Sequence, residues 1–194
     1  MLAPTLFKSC LAAAALFATQ LPVTAIATPK HHTTVARAPT TTFANNVIFS
    51  PPPNAGWTDP RVLYARSVEL SSGSLLATWE NYSPEPPLVY FPIYKSDDGG
   101  VSWRQIGKVE DTANGWGMRY QPFLYQLPVA IGRYPKGTIL CAGNSIPTDL
   151  GKTKIDVYAS TDEGVSWTFV SSVASGGVAK PENGLTPVWE PFLM

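Results

Sequence analysis

The chain has 194 residues, 44% of them apolar, 11% aromatic and only 14% charged, with 14 Lys and Arg balanced by 14 Asp and Glu. That composition excludes a disordered polar tail, a coiled coil and a helical rod. The zero formal charge removes the electrostatic case for a nucleic-acid partner, which needs a basic excess to displace counterions. The 19 prolines and 15 glycines point to a loop-rich, all-β chain, because proline interrupts helix interiors and central strands but suits turns.

Residues 1–27 read as a secretory signal peptide. Lys8 supplies a positive start, residues 10–26 form an apolar run broken by Gln20 and Pro22, and Ala25-Ile26-Ala27 is an A-x-A cleavage site. The mature chain is expected to begin at Thr28 and to be secreted. A membrane anchor is the competing reading, but the run is short for a span and ends in small residues. Nothing downstream supplies the roughly 20 consecutive apolar residues of a transmembrane helix, so no membrane partner is expected. Cleavage would remove Lys8 and Cys10 and leave a net charge near −1, with Cys141 as the remaining thiol. With no intrachain disulfide possible, the core must hold the fold. Cys141 sits in the apolar run Thr138-Ile139-Leu140-Cys141-Ala142, far from the two histidines, and reads as a buried structural thiol.

Residues 28–45 are rich in Thr, Ala and Pro and read as a flexible leader open to O-glycosylation. His31 and His32 lie there. Adjacent histidines in such a segment make a poor metal site, and no metal is expected.

A repeat begins after residue 46. Ser96-Asp97-Asp98-Gly99-Gly100-Val101-Ser102-Trp103 and Ser160-Thr161-Asp162-Glu163-Gly164-Val165-Ser166-Trp167 both fit S-x-D-x-G-x-x-W, 64 residues apart. Gly73-Ser74-Leu75-Leu76-Ala77 and Gly137-Thr138-Ile139-Leu140-Cys141 match at the same offset. Periods of this order indicate propellers or arrays. In each motif the Ser and Asp can hydrogen-bond turn amides, the Gly accepts positive φ and the Trp plugs a core. Ser96, Asp98, Gly100, Trp103, Ser160, Asp162, Gly164 and Trp167 are therefore assigned to structural turns between strands, and the two aspartates are not taken as catalytic acids.

Four strands are expected around each turn: 63–70, 74–80, 89–96 and 104–109, then 121–127, 138–143, 155–160 and 168–173. In the second of these, Leu75, Ala77 and Trp79 alternate with Leu76, Thr78 and Glu80. Four strands per unit make one propeller blade. Blade one is placed at about 57–113, blade two at about 114–183 and the start of a third at 184–194. There Glu190-Pro191-Phe192-Leu193 echoes Gln121-Pro122-Phe123-Leu124 and is expected to open a first strand. Closed propellers have about 4 to 8 blades, so the sequence is expected to be a fragment, a truncated gene model or a short form.

The S-x-D-x-G-x-x-W turns resemble the Asp boxes of sialidases and other six-bladed propellers. The surrounding text is more specific. The stretch Leu76-Ala77-Thr78-Trp79-Glu80-Asn81-Tyr82-Ser83-Pro84-Glu85-Pro86-Pro87 is one part of it, and Asn114-Gly115-Trp116-Gly117-Met118-Arg119-Tyr120-Gln121-Pro122-Phe123 is another. With Gly143-Asn144-Ser145-Ile146-Pro147 and Thr186-Pro187-Val188-Trp189-Glu190-Pro191-Phe192, these closely resemble secreted fungal exo-arabinanases of glycoside hydrolase family 93. The resemblance runs from about residue 46 to the last. It implies a six-bladed propeller, retaining hydrolysis of linear α-1,5-L-arabinan with release of arabinobiose, no metal or cofactor, and a monomer when complete. Glu190 matches one of the family's two catalytic glutamates and is assigned as nucleophile, its partner carboxylate to be supplied by a later blade. This chain alone is therefore expected to be inactive. Arg66, Trp116, Arg119, Tyr120, Gln121 and Trp189 are candidate substrate-binding residues. Trp57 is a further ring that could stack on a sugar, though core packing is the default for a propeller Trp. Glu80 and Asp59 are weaker acidic candidates; Glu80, at a strand end, is expected at a rim or in a buried ion pair.

Two rival readings share the pattern. A sialidase grips a carboxylate with three arginines, and Arg66, after Tyr64-Ala65, stands where one could be. A secreted propeller could also bind glycan without catalysis. Asn81-Tyr82-Ser83 is the only N-x-S/T sequon, weakened by Pro84.

Overall fold

The computed structural model describes residues 46–53 and 55–194. The proposed signal peptide, the leader and His31 and His32 lie outside the described residues. Eight strands follow in order: β1 (Val62–Glu69), β2 (Leu75–Asn81), β3 (Phe91–Ser96), β4 (Arg104–Val109), β5 (Met118–Gln126), β6 (Ile139–Ser145), β7 (Thr153–Ser160) and β8 (Thr168–Gly176). They form two four-stranded antiparallel sheets, β1-β2-β3-β4 and β5-β6-β7-β8, each a meander in sequence order. These are two consecutive blades of a partial β-propeller, with β1 and β5 as the first strands.

Alternation along the second strand of each blade is what lets both faces be covered. In β2 every residue after Leu75 is buried. Trp79 joins Phe49 and Tyr94, with ring centroids 5.4 and 4.9 Å away, and Phe49 also touches Trp57 at 5.9 Å. Leu76 belongs to the main core with Phe91, Ile93, Met118, Leu124, Ile139, Cys141 and Tyr158. That core lies between the blades, and burial drives the Cys141 thiol well above its usual pKa.

Close approach between the blades depends on two glycines. A Cβ on Gly107 of β4 would lie 2.5 and 2.6 Å from the carbonyl oxygens of Gly164 and Val165 in the second turn motif, and one on Gly143 of β6 would overlap the Phe91 ring. Beside the first contact, Lys95 Nζ reaches Glu163 at 2.6 Å across the blades.

Both S-x-D-x-G-x-x-W segments are the turns into β4 and β8. Asp98 Oδ1 accepts from the amides of Val101 and Ser102 at 3.0 and 2.9 Å, and Trp103 Nε1 donates to Gly100 O at 3.0 Å. In the second copy Asp162 accepts from the Ser166 amide at 2.9 Å and its hydroxyl at 2.5 Å, and Trp167 Nε1 donates to Gly164 O at 3.0 Å. Ser96 and Ser160 each accept from the amide of the motif glycine at 2.8 Å.

Of the sequence expectations that change, two bear on the site. The first strand of blade two starts at Met118, not at 121, because bulged pairing of Met118 with Ser145 and Tyr120 with Asn144 extends the ladder upstream. Residues 184–194 carry no strand: the expected opening strand around Glu190 has no neighbouring strand to build a ladder with among the described residues. Side chains and backbone of the first two blades hold that segment instead. Asn144 Nδ2 donates to Val188 O at 2.7 Å, and the Val188 amide donates to Thr153 Oγ1 at 3.0 Å.

Candidate active site

The site forms where β1, β5 and the segment around Glu190 run side by side. Each contributes one residue in the left-handed backbone region: Tyr64 (φ 50°), Gln121 (φ 56°) and Glu190 (φ 53°). None is glycine, so each conformation costs on the order of 1–3 kcal/mol and must be held by its surroundings. In β1 and β5 the cause is visible in the register. The β1–β2 ladder slips between Leu63 and Arg66, and the β5–β6 ladder slips between Tyr120 and Phe123. Such bulges turn one side chain out of the alternation and free its amide from the ladder.

The freed groups bond to one another. The Tyr64 phenol donates to Glu190 Oε1 at 2.7 Å, and the Glu190 amide donates to Gln121 Oε1 at 2.8 Å. The Gln121 amide donates to Glu80 Oε1 at 2.8 Å, and the Tyr82 phenol donates to Glu80 Oε2 at 2.7 Å. Two carboxyl groups thus belong to one chain of hydrogen bonds. They line an open cleft of about 600 Å³ together with Tyr64, Tyr82, Tyr120, Gln121 and Trp189. Tyr82, Tyr120 and Trp189 form an aromatic run along it, with successive ring centroids 5.9 and 6.1 Å apart.

The two carboxyls differ in surroundings. Glu190 is exposed. Glu80 is 2% exposed, and burial raises its pKa against the opposing bonds from Tyr82 and Gln121. Of the expectation of a rim position or a buried ion pair for Glu80, the burial holds but the ion pair is corrected: its hydrogen-bond partners are a phenol and a backbone amide, because the β5 bulge presents an unpaired N–H to it. The Glu190 carboxylate in turn raises the pKa of Tyr64 through the hydrogen bond and its charge.

Of the candidate binding residues, Tyr120, Gln121 and Trp189 line this cleft with Glu190. Arg66 does not; its guanidinium lies 5.1 Å from the centroid of the Tyr64 ring and donates to Ala65 O at 3.1 Å. Arg119 lines a neighbouring cleft, and its Nη2 is held by both oxygens of Glu85 at 3.0 Å. Trp116 lies beneath Lys154 Nζ at 5.0 Å, in a loop wrapped around Asp111, which accepts the amides of Asn114 and Trp116 at 2.8 and 2.9 Å. Asp59 is exposed and 3.9 Å from Arg61. The sequence alone does not single out Tyr64 or Tyr82. Among the described residues no group of three or more His, Cys, Asp or Glu could hold a metal ion.

A carboxylate held by a phenol beside an aromatic wall is suited to a neutral, hydroxyl-rich ring.

No protein-family model matches the chain. No curated protein matches it either. Among solved structures it is similar to the α-L-arabinofuranosidase of Fusarium graminearum in complex with an iminosugar inhibitor, at 65% identity and TM-score 0.77, over 79% of this chain and 42% of that one. It is similar to the GH93 α-L-arabinofuranosidase of the same fungus with arabinobiose, at 66% identity and TM-score 0.76, over 78% and 42%. It is also similar to the Penicillium chrysogenum α-L-arabinanase complexed with arabinobiose, at 62% identity and TM-score 0.74, over 76% and 41%. The chain spans about two fifths of the length of these enzymes.

Proposed function

The chain belongs to glycoside hydrolase family 93 over the stretch it shares with these enzymes, and on that premise we propose that it forms part of a retaining exo-1,5-α-L-arabinanase. The substrate is linear arabinan of plant cell walls and the product arabinobiose. The observation that carries this reading is the placement of Glu190 in an aromatic-lined cleft, with Tyr64 on its carboxylate and Gln121 on its amide.

Retaining hydrolysis needs one carboxylate to attack the anomeric carbon and another to protonate the leaving oxygen, about 5–5.5 Å apart. Glu190 is the nucleophile: it is exposed and lines the cleft, and the Tyr64 hydrogen bond holds one of its two oxygens. Glu80 is poorly placed to be the acid/base, since both of its oxygens are already engaged and it is 2% exposed. The partner is supplied from outside these residues. Tyr120, Trp189 and Gln121 bind the sugar. A sialidase would require arginines free to grip a carboxylate, whereas Arg119 is engaged by Glu85 and Arg66 stacks on Tyr64. The A-x-A site after residue 24 supports secretion, and the complete protein acts as a monomer.

The test is a chimera in which residues 46–194 replace the matching segment of the Penicillium arabinanase. Release of arabinobiose from debranched arabinan, with the product's anomeric configuration retained by NMR, is expected. Inversion, or turnover of a sialoside in preference to arabinan, would contradict the reading.

A further inference from the structure

We infer that Glu80 is a positioning residue for Glu190, acting through Gln121. The inference rests on the reading of Glu190 as the nucleophile. Glu190 lies in a segment without a ladder, so its backbone is fixed by side chains, and the bond on its own amide comes from Gln121 Oε1 at 2.8 Å. Gln121 can hold Glu190 only while it keeps its left-handed conformation at φ 56°. That conformation turns the Gln121 amide away from the β6 ladder and leaves an N–H that must be satisfied. Glu80 Oε1 accepts it at 2.8 Å, and the Tyr82 phenol locks the other carboxylate oxygen at 2.7 Å. Glu80 is 2% exposed. Burying a carboxyl costs free energy that a leucine of similar size would not, so the site retains it against packing stability.

The repeat supplies an independent observation. The residue 64 positions after Glu80 is Asn144, in the same place on β6 as Glu80 on β2. Glu80 pairs across the ladder with Leu63, just before the left-handed Tyr64. Asn144 pairs with Tyr120, just before the left-handed Gln121. Asn144 is fully buried, and its Nδ2 donates to Val188 O at 2.7 Å, two residues before Glu190. In each blade, then, the buried polar residue at the end of the second strand reaches forward and clasps the opening segment of the next unit. The clasp of blade one takes a backbone N–H and is a carboxylate; the clasp of blade two takes a backbone carbonyl and is an amide. The chemistry of each side chain fits the group it holds, and both lead to Glu190.

The experiment uses the chimera described above with Glu80→Leu, Glu80→Gln, Gln121→Met and the double variant Glu80→Leu/Gln121→Met, each checked by thermal melting. Leu removes the acceptor, whereas Gln keeps an oxygen for the Gln121 amide. Misplacing a nucleophile by about 1 Å costs up to roughly 100-fold, so Glu80→Leu and Gln121→Met should each lower kcat by about 10- to 100-fold, with KM nearly unchanged in Glu80→Leu, which does not itself bind the sugar. Glu80→Gln should recover at least about a third of kcat, and the double variant should be no worse than either single one, because both cut the same link. Additive losses, an unchanged kcat in Glu80→Leu, or abolished turnover in a folded Glu80→Gln would each overturn the inference; the last would make Glu80 a participant in the chemistry. Crystal structures of the full chain with and without Glu80→Leu read the positioning without turnover. Gln121 should leave the left-handed region and Glu190 should leave Tyr64; if neither moves, the inference is wrong. An unmutated chimera without activity would count against the proposed reaction, while the crystal comparison would still judge the clasp.

Discussion

The phenol of Tyr64 donates to the carboxylate of Glu190 at 2.7 Å across 126 residues of sequence. The bond joins the first strand of blade one to the far end of the chain, and it closes one side of the cleft. Glu190 raises the pKa of Tyr64 above the ordinary tyrosine value of 10.0, first through this bond and then through its charge. Glu190→Gln should therefore let one tyrosine ionise at lower pH, seen as phenolate absorbance in an alkaline titration against the unmutated chain. Superimposable titrations would show that the two residues do not meet in solution.

The turn motifs give a stability test. Asp162→Ala deletes the acceptor for the Ser166 amide and hydroxyl and for the Ser160 hydroxyl. Each such bond contributes about 0.5–1.5 kcal/mol. A loss of melting temperature is expected, with the melted fraction rising before any change at Glu190. A variant of the active chimera that melts normally yet does not turn over would assign Asp162 to chemistry instead.

The same turns set an acid limit. Burial opposes ionisation of Asp162, but the Ser166 hydroxyl and amide outweigh it and lower its pKa below 3.8; in Asp98 the bonds from Ser102 do the same. A depressed carboxylate stabilises the fold fully above its unfolded pKa, and that contribution is lost as pH falls through the folded value. Melting temperature should therefore decline as pH drops below about 3.8, and Asp162→Asn should flatten that decline.

How much of this was readable in advance depended on whether a residue's role is local. Asp98, Asp162, Trp103 and Trp167 could be placed because a turn motif carries its own hydrogen bonds within eight residues. Trp189 and Glu190 stood out only through their resemblance to a family. Tyr64 left no mark. It sits in an ordinary alternating strand, and its role comes from a bulge at a non-glycine residue with positive φ, for which no side chain advertises itself. The same register slip lies next to Arg66, whose guanidinium packs 5.1 Å from the centroid of the Tyr64 ring. Glu80 was undervalued for a similar reason: the amide it accepts is unpaired only because β5 is irregular 41 residues later.

The inter-blade contact should be intolerant of a single methyl. Gly107→Ala places a carbon against two backbone carbonyls that cannot rotate away. Overpacking of this kind costs about 1–3 kcal/mol. The expected result is a lower denaturant midpoint than for Gly73→Ala, whose Cβ would meet nothing within 4 Å and whose cost is confined to its own positive φ. Equal midpoints would mean that the blades are not packed through Gly107.

Asn81 should carry no glycan in the folded protein. It is 4% exposed, and its Nδ2 donates to Ser83 Oγ at 3.3 Å. Mass spectrometry of the peptide containing Asn81, from material made in a fungal host, should give the unmodified mass. A hexose-bearing peptide from correctly folded protein would contradict the buried placement.

That Glu190 is one of the two carboxylates that cleave the glycosidic bond is tested most directly by Glu190→Gln in the chimera, with arabinobiose release and thermal melting measured on the same preparation. The change keeps the shape of the side chain and the hydrogen bond that its backbone amide donates to Gln121 but removes the carboxylate proposed as nucleophile. The expected result is an unchanged melting temperature with kcat reduced at least about 1,000-fold, on the scale of losing a covalent catalyst. A folded Glu190→Gln variant that still releases arabinobiose at a rate near that of the unmutated chimera would contradict the assignment.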